Sequence, residues 1–190
     1  MKRSVGVGLI GMGVVGGGVA RVIHEKRTQL ENLVGGPVVL RKILVKDRSK
    51  TRSFRVFDDQ FVDNLSQIID DPRVDVVLEL MGGEYPALKF IMAAIDKGKH
   101  VVTANKEVIA KHGTSIFDRA REKGVRVLFE GSVGGGIPVI SPLMRDLVVN
   151  DTSCITAIIN GTTNYILTKM ATERTDYQKA LKDAMDLGYA

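Results

Sequence analysis

The chain has 190 residues, 44% hydrophobic and 26% charged, with a formal net charge of +5 and a pI near 9.3. These values suit one globular domain, or one domain plus part of a second, and exclude disordered, collagenous and membrane-embedded classes; no apolar run approaches the roughly 18 to 20 residues that a bilayer helix needs. A single cysteine, Cys154, excludes an internal disulfide framework and a cysteine-based zinc site, and points to a reducing compartment. The basic residues are scattered through mixed-sign stretches such as Arg119 to Lys123, and Trp is absent, so a nucleic-acid platform is not expected. An anionic phosphate ligand and a plain solvated surface remain as explanations of the charge.

The opening Met1-Lys2-Arg3-Ser4 has the charge of a signal peptide. The apolar run behind it is broken by Gly6, Gly8, Gly11 and Gly13 and offers no cleavage site, so the chain reads as mature and cytoplasmic. Ser4 to Ile10 has the length and apolarity of a buried parallel strand. Gly11-Met12-Gly13-Val14-Val15-Gly16 follows as G-x-G-x-x-G, and Gly17 to Leu30 shows helical spacing of Val19, Val22, Ile23 and Leu30. Pro37 to Val45 reads as the second strand. The pattern then continues with a weak helix at Asn64 to Ile69, a strand at Val74 to Leu80, a helix at Tyr85 to Lys97, a strand at His100 to Ala104, a helix at Lys106 to Lys123 and a strand at Val125 to Glu130. Strands alternating with helices predict an α/β fold, a Rossmann-like doubly wound parallel sheet. A glycine-rich stretch, Gly131 to Pro138, marks a change of character and leads into a predicted helix ending near Leu147. A strand at Ser153 to Ile159, a turn at Asn160 to Asn164 and polar helical sequence to Leu187 complete the chain.

In the glycine motif, Gly11 serves the turn off the strand, Gly13 the approach of backbone to a pyrophosphate, and Gly16 close helix packing. The ribose reader is expected after the second strand, in Lys46-Asp47-Arg48-Ser49-Lys50. Asp47 suits the 2′-hydroxyl of NAD, while Lys46, Arg48 or Lys50 suits the 2′-phosphate of NADP, and both readings stay open. Leu80-Met81-Gly82-Gly83 and Thr103-Ala104-Asn105-Lys106 follow strands at their carboxyl ends, the ligand-binding edge of such sheets. Lys106 is there either as a cationic donor to a carbonyl or carboxylate or as a surface lysine. The run Gly134 to Gly136 after Glu130 offers carbonyls to a cation or simply forms a hinge. His24, His100 and His112 lack metal-ligand spacing and are assigned no chemistry.

Five segments in order, Gly11 to Gly16, Val76 to Gly83, Val102 to Lys106, Phe129 to Pro138 and Ile159 to Leu167, resemble homoserine dehydrogenase across essentially the whole chain. The resemblance implies a dinucleotide-binding domain over 1–130 and, over 131–190, the start of an α+β catalytic and dimerisation domain. It also implies NAD- or NADP-dependent interconversion of L-homoserine and L-aspartate 4-semialdehyde, in the pathway to threonine, methionine and isoleucine, by a homodimer. Cofactor contacts are expected at Gly11, Met12, Gly13, Val14, Val15 and Gly16, at Lys46, Asp47 and Arg48, at Met81 and Gly82, at Thr103, Asn105 and Lys106, and at Gly188. Lys106 is placed beside the reacting centre, and Asn160, Gly161 and Thr162 on the substrate side. A sodium ion is implied at Glu130 and the carbonyls of Val133, Gly135 and Ile137.

Gly131 and Gly134 stand where the family often has alanine. In the family, the segment matching Leu187 to Ala190 is followed by a glutamate that binds the substrate amine, by further carboxylates and by a second lysine regarded as the proton donor. The chain is therefore expected to lack the end of its catalytic domain, and the alternative is a chain that binds NAD(P) without significant turnover. Aspartate-semialdehyde and phosphoglycerate dehydrogenases are disfavoured by the Asn160 to Asn164 motif and by the lack of a nucleophilic cysteine in context.

Overall fold

The computed structural model describes residues 4–52, 54–158 and 160–188. Two compact units are present, Met1–Ser132 and Val133–Ala190. No helix among the described residues is long and apolar enough to cross a membrane.

In the first unit, β1 (Val5–Ile10) leads through the glycine turn into α1 (Val14–Glu25) and α2 (Arg27–Val34), and then into β2 (Val38–Leu44). A 3-10 turn (Asp58–Gln60), β3 (Phe61–Val62) and α3 (Ser66–Ile69) precede β4 (Val76–Glu79) and α4 (Ala87–Asp96). Then come β5 (His100–Thr103), α5 (Lys106–Lys123), β6 (Val127–Leu128) and a 3-10 turn at Glu130–Ser132. The strands form one six-stranded sheet in the order β3-β2-β1-β4-β5-β6, and every pairing is parallel. That is the predicted Rossmann-like α/β architecture.

Alternation along the central strands divides the core between the two faces. Leu9 and Ile43 pack with Met12 and with Ala20 of α1 on one face. Ile10, Val77 and Val101 pack with Ile91 and Ile95 of α4 and Val108 and Ile116 of α5 on the other. A sheet buried on both faces has little room for polar side chains, which accounts for the near-continuous Val, Leu and Ile of its strands.

The predicted helix Gly17 to Leu30 is instead two helices, because the backbone leaves helical geometry at Lys26 (φ −102°, ψ 22°). The two-residue β3 went unpredicted; a segment that short carries no periodicity.

In the second unit, a π-helical turn (Pro142–Asp146) replaces the helix predicted to Leu147, and α6 (Gly161–Glu173) and α7 (Tyr177–Asp186) form a hairpin. Ile166, Ala180 and Ala184 make its core, with Lys169 Nζ 2.9 Å from Asp183 Oδ2. The strand expected at Ser153 to Ile159 does not form over 153–158, and Ile159 lies outside the described residues. A strand needs a neighbour for its N–H and C=O groups, and this unit has no other strand among the described residues. The turn expected at Asn160 to Asn164 is the start of α6, with Asn160 Oδ1 accepting from Thr163 N at 2.8 Å as the N-cap.

Candidate functional site

The carboxyl end of β1 is locked from both sides. Gly11 N–H donates to Leu44 O at 2.9 Å, and Leu80 N–H donates to Ile10 O at 2.8 Å. The strand order reverses between β1 and β4, and open parallel sheets bind ligands at such a switch point. Here the three motif glycines do different jobs. Gly11 has φ +91°, and a Cβ on it would lie 2.7 Å from Leu80 O; a Cβ on Gly16 would lie 2.1 Å from Gly11 O. Both are therefore required by close backbone packing. A Cβ on Gly13 would meet nothing within 4 Å, so the space in front of it is open.

Gly13 is the N-cap of α1, with no side-chain cap and no acidic residue in the first turn. The leading N–H groups of a helix so arranged are available to an anion, and the helix dipole favours one there. Val14 and Val15 are exposed, whereas the Met12 side chain is buried in the core, so Met12 has only its backbone to offer a ligand.

The ends of β4 and β5 are tied by a polar network within the core. Glu79 is fully buried; its Oε2 accepts from Thr103 Oγ1 at 2.7 Å and its Oε1 from Met81 N at 3.0 Å. Thr103 Oγ1 in turn accepts from Asn105 N at 3.0 Å. The Asn105 side chain works in both directions, its Oδ1 capping α5 at Val108 N (3.2 Å) and its Nδ2 donating to Gly83 O (2.7 Å). Thr103, expected among the cofactor contacts, thus commits its hydroxyl to Glu79.

Lys106 follows as the first residue of α5, exposed, with no ion pair or side-chain hydrogen bond among the described residues. Met81 and Gly82 lie on the facing loop between β4 and α4.

Sequence reasoning missed Glu79, Glu84 and His112 as site elements. A carboxylate in an otherwise apolar strand was the available signal for Glu79. The other two meet only in space, with Glu84 Oε1 2.8 Å from His112 Nε2 and Glu84 Oε2 2.6 Å from Lys111 Nζ.

The loop after β2 is basic and internally braced. Asp47 Oδ1 accepts from both the N–H (2.8 Å) and the hydroxyl (2.7 Å) of Ser49, and these donors hold its carboxyl below the usual carboxylate range. Arg48 pairs with Asp63 at 2.7 Å. The Arg52 guanidinium donates to the carbonyls of Asp47, Arg48 and Lys50 and lies over the Phe61 ring. Lys46 and Lys50 are exposed and carry no such partner among the described residues.

The remaining expected residues fall in different places. Glu130 opens the 3-10 turn that ends the first unit, whereas Val133, Gly135 and Ile137 belong to the second. Asn160, Gly161 and Thr162 begin α6, and Gly188 follows α7 with φ +77°.

A family model described as the NAD-binding domain of homoserine dehydrogenase matches residues 11–130, and a second, described as homoserine dehydrogenase, matches 138–190. The chain belongs to the homoserine dehydrogenase family. The homoserine dehydrogenase of Bacillus subtilis is 41% identical over 188 residues, 99% of this chain and 43% of the relative. That of Corynebacterium glutamicum is 40% identical over 188 residues, 98% of this chain and 42% of the relative.

Among solved structures, a homoserine dehydrogenase from Thiobacillus denitrificans superposes with a TM-score of 0.91 at 38% identity, covering 100% of this chain and 44% of that one. A hyperthermophilic archaeal homoserine dehydrogenase mutant, solved in complex with NADPH, gives a TM-score of 0.79 at 25% identity, covering 98% of this chain and 62% of that one. The chain thus spans well under half the length of the curated relatives it matches.

Proposed function

We propose that the protein works as a homoserine dehydrogenase, interconverting L-homoserine and L-aspartate 4-semialdehyde with NAD(P) on the route to threonine, methionine and isoleucine. The observation that carries this reading is the open space in front of Gly13 at the uncapped start of α1, between two glycines that backbone packing makes obligatory. It fits a dinucleotide pyrophosphate, and the family membership supplies the reaction.

When bound, the nicotinamide supplies or accepts the hydride. The chain's part is to hold and polarise. In the proposed roles the N–H groups at the start of α1 meet the pyrophosphate, and the loop from Lys46 to Lys50 meets the adenosine ribose. NADP is favoured there, because Lys46 and Lys50 carry no partner among the described residues and a 2′-phosphate adds charge for them to meet. Lys106 Nζ is the proposed donor to the substrate oxygen, where a fixed cation stabilises developing alkoxide charge. Asn160, Gly161 and Thr162 are proposed for the substrate side, since a helix N-terminus suits a carboxylate, and Gly188 as a further ligand contact.

Self-association into a homodimer is proposed from the exposed Val148, Val149, Ile155 and Ile158 of the second unit, and a reducing cytoplasm is the proposed compartment.

Calorimetry with NADPH and NADH tests the reading directly: a folded Gly13→Val variant should lose binding, because side-chain carbon then occupies the pyrophosphate's place. Unchanged affinity would remove the basis of the proposal. Turnover is followed by nicotinamide absorbance with L-homoserine, and Lys106→Ala should lower it by more than it weakens NAD(P) binding.

A further inference from the structure

The connection from β4 to α4 contains two successive glycines in the left-handed region, Gly82 (φ 75°) and Gly83 (φ 74°), with open space where side chains would stand. Such a pair is the least restrained backbone a loop can have. It lies at the carboxyl edge of β4, next to the Leu80 and Met81 backbone that presses on Gly11. With a pyrophosphate at α1, that side of the switch point receives the nicotinamide half of a dinucleotide.

Three grips compensate for the soft backbone. Before the pair, Met81 N–H donates to Glu79 Oε1; at the pair, Asn105 Nδ2 donates to Gly83 O. After it, Glu84 gives each carboxylate oxygen to a different donor on the second turn of α5: Oε2 to Lys111 Nζ at 2.6 Å and Oε1 to His112 Nε2 at 2.8 Å. Lys111 is itself steadied by Glu107 Oε1 at 2.7 Å, and the Tyr85 ring stands edge-on to the His112 ring with centroids 6.5 Å apart. The hydrogen bonds from Lys111 and then His112 hold the Glu84 carboxyl below its ordinary value. Lys111 is 52% exposed, and pairs so open to water contribute little to stability. Two oxygens on two donors nevertheless fix both the place and the direction of the carboxylate.

We infer that Glu84 is a positioning residue: gripped by Lys111 and His112, it holds the Met81–Gly83 backbone where the nicotinamide end of the dinucleotide must rest. The inference depends on the dinucleotide reading above. It makes a prediction that a merely structural role does not, namely that loss of the grip weakens the nicotinamide end selectively.

The test compares NADPH with ADP-ribose 2′-phosphate, which lacks the nicotinamide, and NADH with ADP-ribose, in calorimetry on the wild-type chain and on Glu84→Ala, Glu84→Gln and His112→Phe. Glu84→Ala is expected to weaken the nicotinamide-bearing member of each pair about tenfold, the scale of a charge-assisted contact, and to change the truncated member less than about twofold. Glu84→Gln, which keeps one oxygen as an acceptor, should recover part of the loss. His112→Phe, which keeps the ring against Tyr85, should shift affinity in the same direction by less. Equal losses for both members of a pair, or no loss for either, overturn the inference. If the wild type binds none of the four ligands, the dinucleotide reading fails and this one fails with it. Should Glu84→Ala not fold, the same ratio measured on His112→Phe decides.

Discussion

Thr103 Oγ1 donates to Glu79 Oε2 at 2.7 Å, joining residues that face each other in register at the carboxyl ends of β4 and β5. The buried carboxylate has no lysine, arginine or histidine among its described ion pairs, so neutral donors from Thr103 and Met81 carry it. A buried carboxylate is costly unless its oxygens are satisfied. The network therefore fixes, at one point, both loops that face the proposed nicotinamide half.

Thr103→Val keeps the shape and removes the donor. The variant should lose about 1 to 3 kcal/mol of stability, the cost of leaving a buried acceptor short of a partner, and Thr103→Ser should restore most of it. Urea unfolding measures the difference. A valine variant as stable as the wild type would show that Glu79 finds another partner.

The motif glycines should separate into two classes. Gly11→Ala and Gly16→Ala put a carbon 2.7 Å and 2.1 Å from backbone oxygen and should each cost about 2 kcal/mol or more in stability. Gly13→Ala should fold within about 1 kcal/mol of the wild type and weaken NAD(P) instead. Thermal melts set beside ligand titrations check the separation, and three variants with the same profile would contradict it.

Of the residues expected to read a 2′-phosphate, Arg48 is paired with Asp63, while Lys46 and Lys50 carry no partner among the described residues. Replacing either with alanine should narrow the affinity gap between NADP and NAD by several-fold. The gap in the wild-type chain should also shrink as salt rises, since exposed charges are screened beyond roughly 10 Å at 0.1 M salt. A gap indifferent to salt would place the selectivity elsewhere.

Acid sensitivity should centre on Asp71. Arg73 grips its carboxylate with Nε at 3.0 Å and Nη2 at 2.7 Å, holding its pKa at about 2, below the ordinary 3.8. A depressed folded-state pKa means that the pair contributes stability above the ordinary value and loses it as pH falls from 3.8 towards about 2. Arg73→Leu should raise the midpoint of acid unfolding, followed by circular dichroism. An unmoved midpoint would show that other carboxylates govern the acid limb.

The exposed Val148, Val149, Ile155 and Ile158 predict concentration-dependent association of the chain. Sedimentation velocity over a wide concentration range measures it. Replacing Val149 and Ile158 with serine should shift the distribution towards monomer, and an unchanged distribution would place the contact on another surface.

The amino-acid order alone determined the alternation of strands and helices, the glycine turn and the parallel sheet. Each of these depends on local chemistry: apolar runs of strand length and glycines where a chain must turn. Those signals reside in neighbours along the chain. Ser153 to Ile158 shows where such reasoning stops. Its β-branched pattern is real, but a strand forms only when another segment accepts its hydrogen bonds, and this is a property of the surrounding unit. The motif already separated the roles of Gly11, Gly13 and Gly16, but tertiary structure decided what crowds Gly11, since a Cβ there would meet Leu80 O from 69 positions away. It also decided that Glu84 meets Lys111 and His112, 27 and 28 positions further on. Contacts set by the packing of one helix on another loop leave no periodic trace in sequence, so the chemistry of that corner of the site became legible only once the chain was folded.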